Sequence, residues 1–286
     1  MLAMSTFHTA LEDRAVLRLS GADRVDFLQN LVTQDVARPQ AGACVMTALL
    51  TPQGKLLFDF IIYVEEDGFL LDVDAESAEA LLKKLTLYKL RADVKLEMTD
   101  LAIHAIWQAD GQADGQAKNQ EGEQTDLPAK EVSSSFYQDP RHHGLGLRGF
   151  FDSTPDTGLP QKPLADWHVN RLKHGVPQGQ SEMPPGSIFP LEYGFEAANA
   201  IDFQKGCFVG QEVTSRTHRK GSLRKKLRSI EVDGATGNHG DKLLTAAERV
   251  GGELVALRDV CGLALIREDA LAEPLTLNGA PVRLTL

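Results

Sequence analysis

The chain has 286 residues, 42% of them hydrophobic and 24% charged, with a formal net charge of −10. That length buries a sizeable core without disulfide or metal staples and allows two or three domains. The negative balance excludes a general polyanion-binding surface while leaving room for a local basic patch. Three widely spaced cysteines, with no C-x-x-C between them, exclude a dithiol motif or a structural zinc site and fit a reducing compartment. No apolar run approaches the roughly 20 residues of a membrane span. Met1–Ala10 lacks a charged segment followed by an apolar one, and Glu12 and Asp13 come early, so the expectation is a cytoplasmic protein with no membrane partner.

Ala15–Ser20 alternates at period two and ends at Gly21, which predicts a strand and a turn. From Ala22 the apolar positions Val25, Leu28, Leu31, Val32 and Val36 follow helical spacing, and Pro39 bars continuation. Val45–Leu50, the turn 51–54 and the β-prone run Lys55–Val64 predict a hairpin, and Glu66-Asp67-Gly68 turns into a further strand, Phe69–Val73. Ala78, Leu81, Leu82, Leu85 and Tyr88 share one helical face, and Arg91–Met98 alternates as a strand. This β-β-β-α-β block makes a compact α+β lobe.

Leu101–Trp107 predicts another strand. The polar stretch Gly111–Gln124, which overlaps a doubled Ala-Asp-Gly-Gln at 109–112 and 113–116, reads as a mobile loop. Leu145–Phe151 is short and glycine-interrupted, which suggests an edge strand. Leu164–His174 reads as a helix closed by Gly175 and Pro177, and Ser181–Gly194, with three prolines, as an ordered loop. Ile201–Gln204 looks extended and Glu212 onward helical. Past Gly221, short strands at Leu227–Val232, Gly251–Leu257, Gly262–Ile266 and Val282–Leu286 suggest a small β-barrel or sandwich.

One octapeptide stands out: Lys205-Gly206-Cys207-Phe208-Val209-Gly210-Gln211-Glu212. A thiolate is both nucleophile and metal ligand, and a nearby cation or helix N-terminus lowers its pKa. Lys205 is the candidate cation, and the two glycines allow close approach of a ligand or unusual dihedrals. Glu212 suits either a partner for Lys205 or a first-turn acid. Cys44 and Cys261 sit in apolar surroundings and read as buried small hydrophobes. Arg216–Arg228 carries seven Lys/Arg in thirteen residues and no acid. It reads equally as a solvated linker or as a stripe for phosphate, polyglutamate or RNA, without the interleaved aromatics of a single-strand binder. Trp167 by itself reads as a core residue ahead of a stacking platform. His142-His143 has no third ligand at metal spacing, and no metal site is expected.

The octapeptide resembles the signature K-G-C-[YF]-x-G-Q-E of the YgfZ-type folate-binding proteins, relatives of the glycine cleavage T-protein, an aminomethyltransferase. The resemblance extends to Asp26–Asp35 (DFLQNLVTQD), Thr51–Asp59 (TPQGKLLFD), Trp167–Gly175, Phe189–Glu192 and the C-terminal tail, and so covers nearly the whole chain. It implies an α+β, three-lobed aminomethyltransferase-like fold, with ferredoxin-like α/β lobes and a C-terminal β-barrel around a central folate cavity. The implied lobes are 1–44 with 100–220, an inserted 45–99, and 221–286. It further implies a tetrahydrofolate-binding protein that supports iron–sulfur cluster assembly or repair and, through it, tRNA modification. Its partners would be iron–sulfur client or assembly proteins, with a weak anion or RNA contact through Arg216–Arg228. Cys207 and Lys205 would carry the chemistry within the motif of Gly206, Phe208, Gly210, Gln211 and Glu212. Trp167, Asp59, Glu192 and Arg14 would line the folate site, Arg14 standing where the family has a second tryptophan. T-proteins have two adjacent acids in the hairpin and no such octapeptide. Phe58-Asp59 keeps one acid, which favours the cluster role over a folate-dependent aminomethyl- or methyltransferase.

Overall fold

The structure, a computed structural model, describes residues 5–109 and 136–285. The chain opens with β1 (Ser5–Ala10), β2 (Arg14–Ser20), α1 (Arg24–Gln29), β3 (Cys44–Leu50), β4 (Leu56–Val64) and β5 (Gly68–Asp74). It continues with α2 (Ala78–Lys89), β6 (Lys95–Met98), β7 (Ala102–Ala109), β8 (Phe136–Gln138), β9 (Leu147–Phe151), α3 (Leu164–Lys173) and α4 (Gln211–Lys220). The last strands are β10 (Lys225–Val232), β11 (Lys242–Thr245), β12 (Val250–Arg258), β13 (Cys261–Arg267), β14 (Leu275–Leu277) and β15 (Ala280–Leu284). They form three sheets: four strands in the order β1-β7-β9-β8, five in the order β3-β4-β5-β2-β6, and a closed barrel β10-β13-β12-β11-β14-β15. The five-stranded sheet thus takes β2 from before the hairpin as well as β3–β6.

That sheet is buried on both faces. Along β4, Phe60, Ile62 and Val64 join a core with α1 and α2, while Ile61 and Tyr63 point into a second core shared with the other two sheets. Successive side chains of a strand take opposite faces, so a strand between two cores reads as an unbroken apolar run. In β2 the same division sends Leu17 and Leu19 one way and Val16 the other.

Four elements differ from the sequence expectation. The helix predicted from Ala22 ends at Gln29, because the chain beyond it is captured by β3: Val32 bridges Leu49, and Thr33 N–H donates to the Ala48 carbonyl at 3.0 Å. Val32 and Val36 are buried all the same, so their helical spacing reports burial without a helix. β9 is an inner strand between β7 and β8. Its buried Arg148 is held by Asp72 and Asp139, which anchors the strand inside. Ile201–Gln204 is a turn rather than extended, organised by the Asp202 carboxylate, which accepts from Gln204 N–H at 2.6 Å and Lys205 N–H at 3.1 Å. The barrel holds two strands, β11 and β14, too short to stand out in the sequence. The polar stretch 111–124 lies outside the described residues.

Candidate functional site

The cysteine loop is pinned at both ends and open in the middle. At its start the Lys205 side chain turns inward, and its Nζ donates to the carbonyls of Val32 and Gln34, both at 2.8 Å. A buried ammonium needs such acceptors. Burial lowers the Lys205 pKa to about 8, with Asp35 and Asp202 pulling the other way. The expected pairing of Lys205 with Cys207 is therefore replaced by a tether to the segment after α1. Phe208 anchors the other side of the cysteine, only 6% exposed, with the Lys205 ammonium 5.6 Å from its ring centroid.

Between them Cys207 is exposed, and a Cβ built on Gly206 would meet nothing within 4 Å. Gly210 closes the loop with φ +83, and a Cβ there would lie 2.6 Å from the Thr51 carbonyl oxygen of the β3–β4 turn. The hairpin thus presses on the N-terminal end of α4, at a position only glycine fits. Gln211 Nε2 reaches back to the Gly206 carbonyl at 3.4 Å, and Glu212 is an exposed acid in the first turn of α4, where the helix dipole favours it. Gln211 and Glu212 also line a surface groove of ≈480 Å³ along α4, where the His218 ring stacks on Phe203 at 3.8 Å and bonds Glu196 at 2.8 Å.

A chain of buried charges lies behind the hairpin. Arg14 on β2 donates to Asp72 of β5 at 2.6 Å. Arg148 of β9 reaches Asp72 at 3.1 Å and Asp139 at 3.3 Å. Arg141 holds Asp139 at 2.8 Å and Gln178 at 2.9 Å. Burial pushes the Asp139 carboxyl up, but the two guanidiniums hold it below the ordinary range. Asp59 goes the other way: its burial raises the pKa despite the pull of Arg14 and Arg141, which favours the neutral acid, a hydrogen-bond donor. Arg14 and Asp59 are thus brought together, and Arg14 Nη1 is buried with no hydrogen-bond partner among the described residues.

The other two expected folate residues lie apart from them. Trp167 on α3 is 0% exposed and packs edge-on against Trp107 with ring centroids 6.2 Å apart. It is sealed in the core and offers no open face for stacking. Glu192 sits in the 3₁₀ turn Pro190–Tyr193, half-buried, its pKa raised by burial and lowered by Lys225 of the barrel.

A cavity of ≈250 Å³ opens between β3, the loop after β8, the segment after α3 and β10. Met46 of β3, Arg141, Tyr193 and Leu227–Ser229 of β10 all line it. His142 and His174 line it too; the sequence marked His142 only as half of a loop pair and did not single out His174. The His142 ring stacks on those of His143 at 4.5 Å and His174 at 4.8 Å. Burial, with the neighbouring histidines, lowers the His142 pKa to about 4, so its imidazole is neutral at pH 7. The fold adds a third ring to the predicted loop pair, but no group of three metal-competent side chains occurs among the described residues. The only hint in sequence was position: His174 directly precedes the glycine that ends α3.

The basic run divides as it folds. Arg219 and Lys220 close α4, where cations suit the helix end. Lys225 faces Glu253 at 3.8 Å, whereas Lys226 and Arg228 share Glu268 at 4.0 and 3.2 Å. Arg228 also lines the cavity, and its Nε is buried with no partner among the described residues.

Comparison with known proteins adds to this geometry. Residues 224–286 match the family described as the CAF17 C-terminal beta-barrel domain. The iron-sulfur cluster assembly factor IBA57, mitochondrial, of Homo sapiens is 33% identical over 94% of this chain and 80% of its own length. The Mus musculus protein of the same name is 30% identical over 93% and 78%. A Neurospora crassa IBA57 homolog, also named mitochondrial, is 35% identical over 77% of this chain, which spans only 52% of that relative's length. These names overturn the expectation of a cytoplasmic protein, which rested on the lack of a leader pattern in Met1–Ala10. Among solved structures, the glycine cleavage system aminomethyltransferase T of Bartonella henselae superposes with a TM-score of 0.75 over 99% of this chain and 86% of its own, at 13% identity. The α+β aminomethyltransferase-like fold with its C-terminal β-barrel is therefore the fold of this chain.

Proposed function

Because the chain belongs to the family of the iron–sulfur cluster assembly factor IBA57, we propose that it serves the maturation of iron–sulfur proteins. In this reading Cys207 is the thiolate on which the role depends, and tetrahydrofolate is the ligand of the central cavity. The observation that carries the proposal is the exposed Cys207 in an open loop pinned on either side. Thiolates are the preferred ligands of iron–sulfur clusters, which need several of them. One cysteine without further thiols beside it suits transient contact with a cluster whose remaining ligands come from a partner. The α4 groove next to it is the surface on which that partner would sit. The octapeptide supports the narrower YgfZ-type reading, in which the clusters supplied sustain tRNA-modifying enzymes.

The fit of folate rests on the chemistry of the donors. Asp59, whose carboxyl pKa is raised by burial, and the unpartnered Arg14 Nη1 are donors and acceptors of the kind a pterin ring needs, but they are buried behind the hairpin and do not line the cavity. The neutral His142, with His174 and Tyr193, gives the cavity flat walls. Trp167 serves as support behind the site, since it is closed to a ligand. When bound, tetrahydrofolate supplies a carrier for one-carbon units. The chain's part is to hold the ring.

Complementation of a cluster-maturation defect tests the cysteine. Cys207→Ala should fail to complement while melting at the wild-type temperature, because the side chain is exposed and packs against nothing essential. Full complementation by a folded Cys207→Ala protein would end the thiolate reading. The fold itself favours a second reading, a folate-dependent aminomethyl- or methyltransferase. Product formation from tetrahydrofolate and a one-carbon donor would establish it.

A further inference from the structure

We infer that the end of α2 docks on an anionic lipid surface, with Leu87 and Leu90 entering the headgroup layer and Lys83, Lys84, Lys89 and Arg91 meeting its phosphates. Residues 83–91 hold four cations and no acid, in a chain of net charge −10. Leu81 and Leu85 turn the inner face of α2 into the core, and Leu87 is left outside, 72% exposed. Lys83 and Lys84 lie one turn before it, at the i−4 and i−3 positions that neighbour a helical side chain. Leu90 caps the helix, 88% exposed, with φ 49 and ψ −105. Helices commonly close on a glycine with positive φ, because a Cβ is strained there. Here that position carries a leucine that joins none of the apolar cores. The fold thus keeps an apolar group in water on a strained backbone, and contact with a surface outside the chain would offset both.

The charges select the kind of surface. Lys89 and Arg91 enter no ion pair among the described residues, Lys84 lies 5.0 Å from the ring centroid of Tyr88, and Lys83 meets only the exposed Glu79 at 3.7 Å. Cations around exposed leucines complement anionic lipid, where each charge adds attraction and the apolar side chains pass below the headgroups. Half-buried Tyr88 adds a ring of the kind that sits at headgroup level. A protein partner is less well matched, since protein interfaces are depleted in lysine and leucine is under-represented among their anchors. The expectation of no membrane partner rested on the absence of a spanning segment, and no helix among the described residues is long and apolar enough to cross a bilayer. A surface contact needs none. Docking here also leaves the cysteine loop free. α2 packs on β2 and β6, at one edge of the five-stranded sheet, whereas Lys205 is tied to the segment beside β3, at the other edge.

Flotation of the full chain with phosphatidylcholine vesicles, with and without phosphatidylglycerol, tests the inference. The chain should float with the anionic vesicles and stay behind with the neutral ones. Binding should fall at ~1 M salt, where screening is strong. Lys84→Gln, Lys89→Gln and Arg91→Gln should each weaken it roughly fivefold, the effect of one charge near an anionic surface. Leu87→Ser with Leu90→Ser should weaken it roughly tenfold or more by removing the apolar contact. Leu90→Gly should weaken binding yet raise the melting temperature, because glycine relieves the backbone, so that lost binding is not lost folding. Lys225→Gln, on the barrel, should bind as the wild type does. Equal binding to the two kinds of vesicle, or binding that survives the double leucine variant, would overturn the inference. So would a dimer in sedimentation that the double variant dissolves, with no vesicle binding, which would assign the leucines to a second copy of the chain.

Discussion

Two residues of the proposed site changed role once their surroundings were known. Lys205 stands two positions from Cys207, but its ammonium is held by the Val32 and Gln34 carbonyls. Its contribution to the loop is position: it fixes where the loop begins. Trp167 is fully enclosed and meets Trp107 edge-on. Truncating it to Ala should cost about 3–5 kcal/mol, as for other buried aromatics. Chemical denaturation would read that loss directly. A Trp167→Ala protein of wild-type stability with weakened folate binding would instead place the indole in contact with ligand.

At the scale of elements, the cysteine loop owes its shape to a contact between a hairpin and a helix. The β3–β4 turn brings the Thr51 carbonyl against Gly210, and Gly54 of the same turn lies against Val213 of α4. Gly210→Ala would meet both a left-handed backbone and a 2.6 Å overlap with that carbonyl. The expected cost is about 1–3 kcal/mol or more, because strain and collision act together. Gly206→Ala is the matched control, since a Cβ there has open space and no positive φ. Denaturation midpoints of the two variants check the argument: the first should fall and the second should stay near wild type. The same contact means that damage to the hairpin, far away in sequence, should disturb the reactivity of Cys207.

At the scale of the whole molecule, acid should loosen the fold through its buried histidines. His104, His142 and His168 each have a pKa lowered to about 4 from 6.5, in each case chiefly by burial. Between pH 6.5 and 4 the unfolded chain takes up protons at these sites and the folded chain does not. Stability is therefore full above pH 6.5 and declines as pH falls through that window. Asp139, depressed by its guanidiniums, extends the loss below pH 3.8. Asp59 opposes it, since a raised carboxyl favours the fold at lower pH. Melting temperatures taken at pH 7, 6 and 5 should fall steadily, with a shallower fall in His142→Phe. A flat profile would contradict the burial argument. The Arg14–Asp72–Arg148–Asp139–Arg141 chain runs from the five-stranded to the four-stranded sheet, so its disruption would act on more than one lobe.

The sequence by itself determined the elements whose signal is local. The hairpin with its turn at 51–54, the helix within 164–174, the octapeptide as a loop before a helix, and four of the barrel strands are set by alternation, turn residues and capping within a few positions. It also carried the fold, because the octapeptide and its companion segments together resemble one family. What only the tertiary structure decided depends on partners distant in the chain. The predicted helix through Val36 stops at Gln29 because β3 offers better hydrogen bonds. Arg148 turns an apparent edge strand into an inner one because Asp72 and Asp139 await it. Lys205 forsakes its neighbour Cys207 because burial demands carbonyls, and His174 joins His142 because α3 ends beside the cavity. Burial is a property of packed elements, and it sets both the upward shift of the Asp59 carboxyl and the enclosure of Trp167. The spacing of residues along a chain cannot carry that information, because the desolvation that decides it arises only when the sheets close on one another.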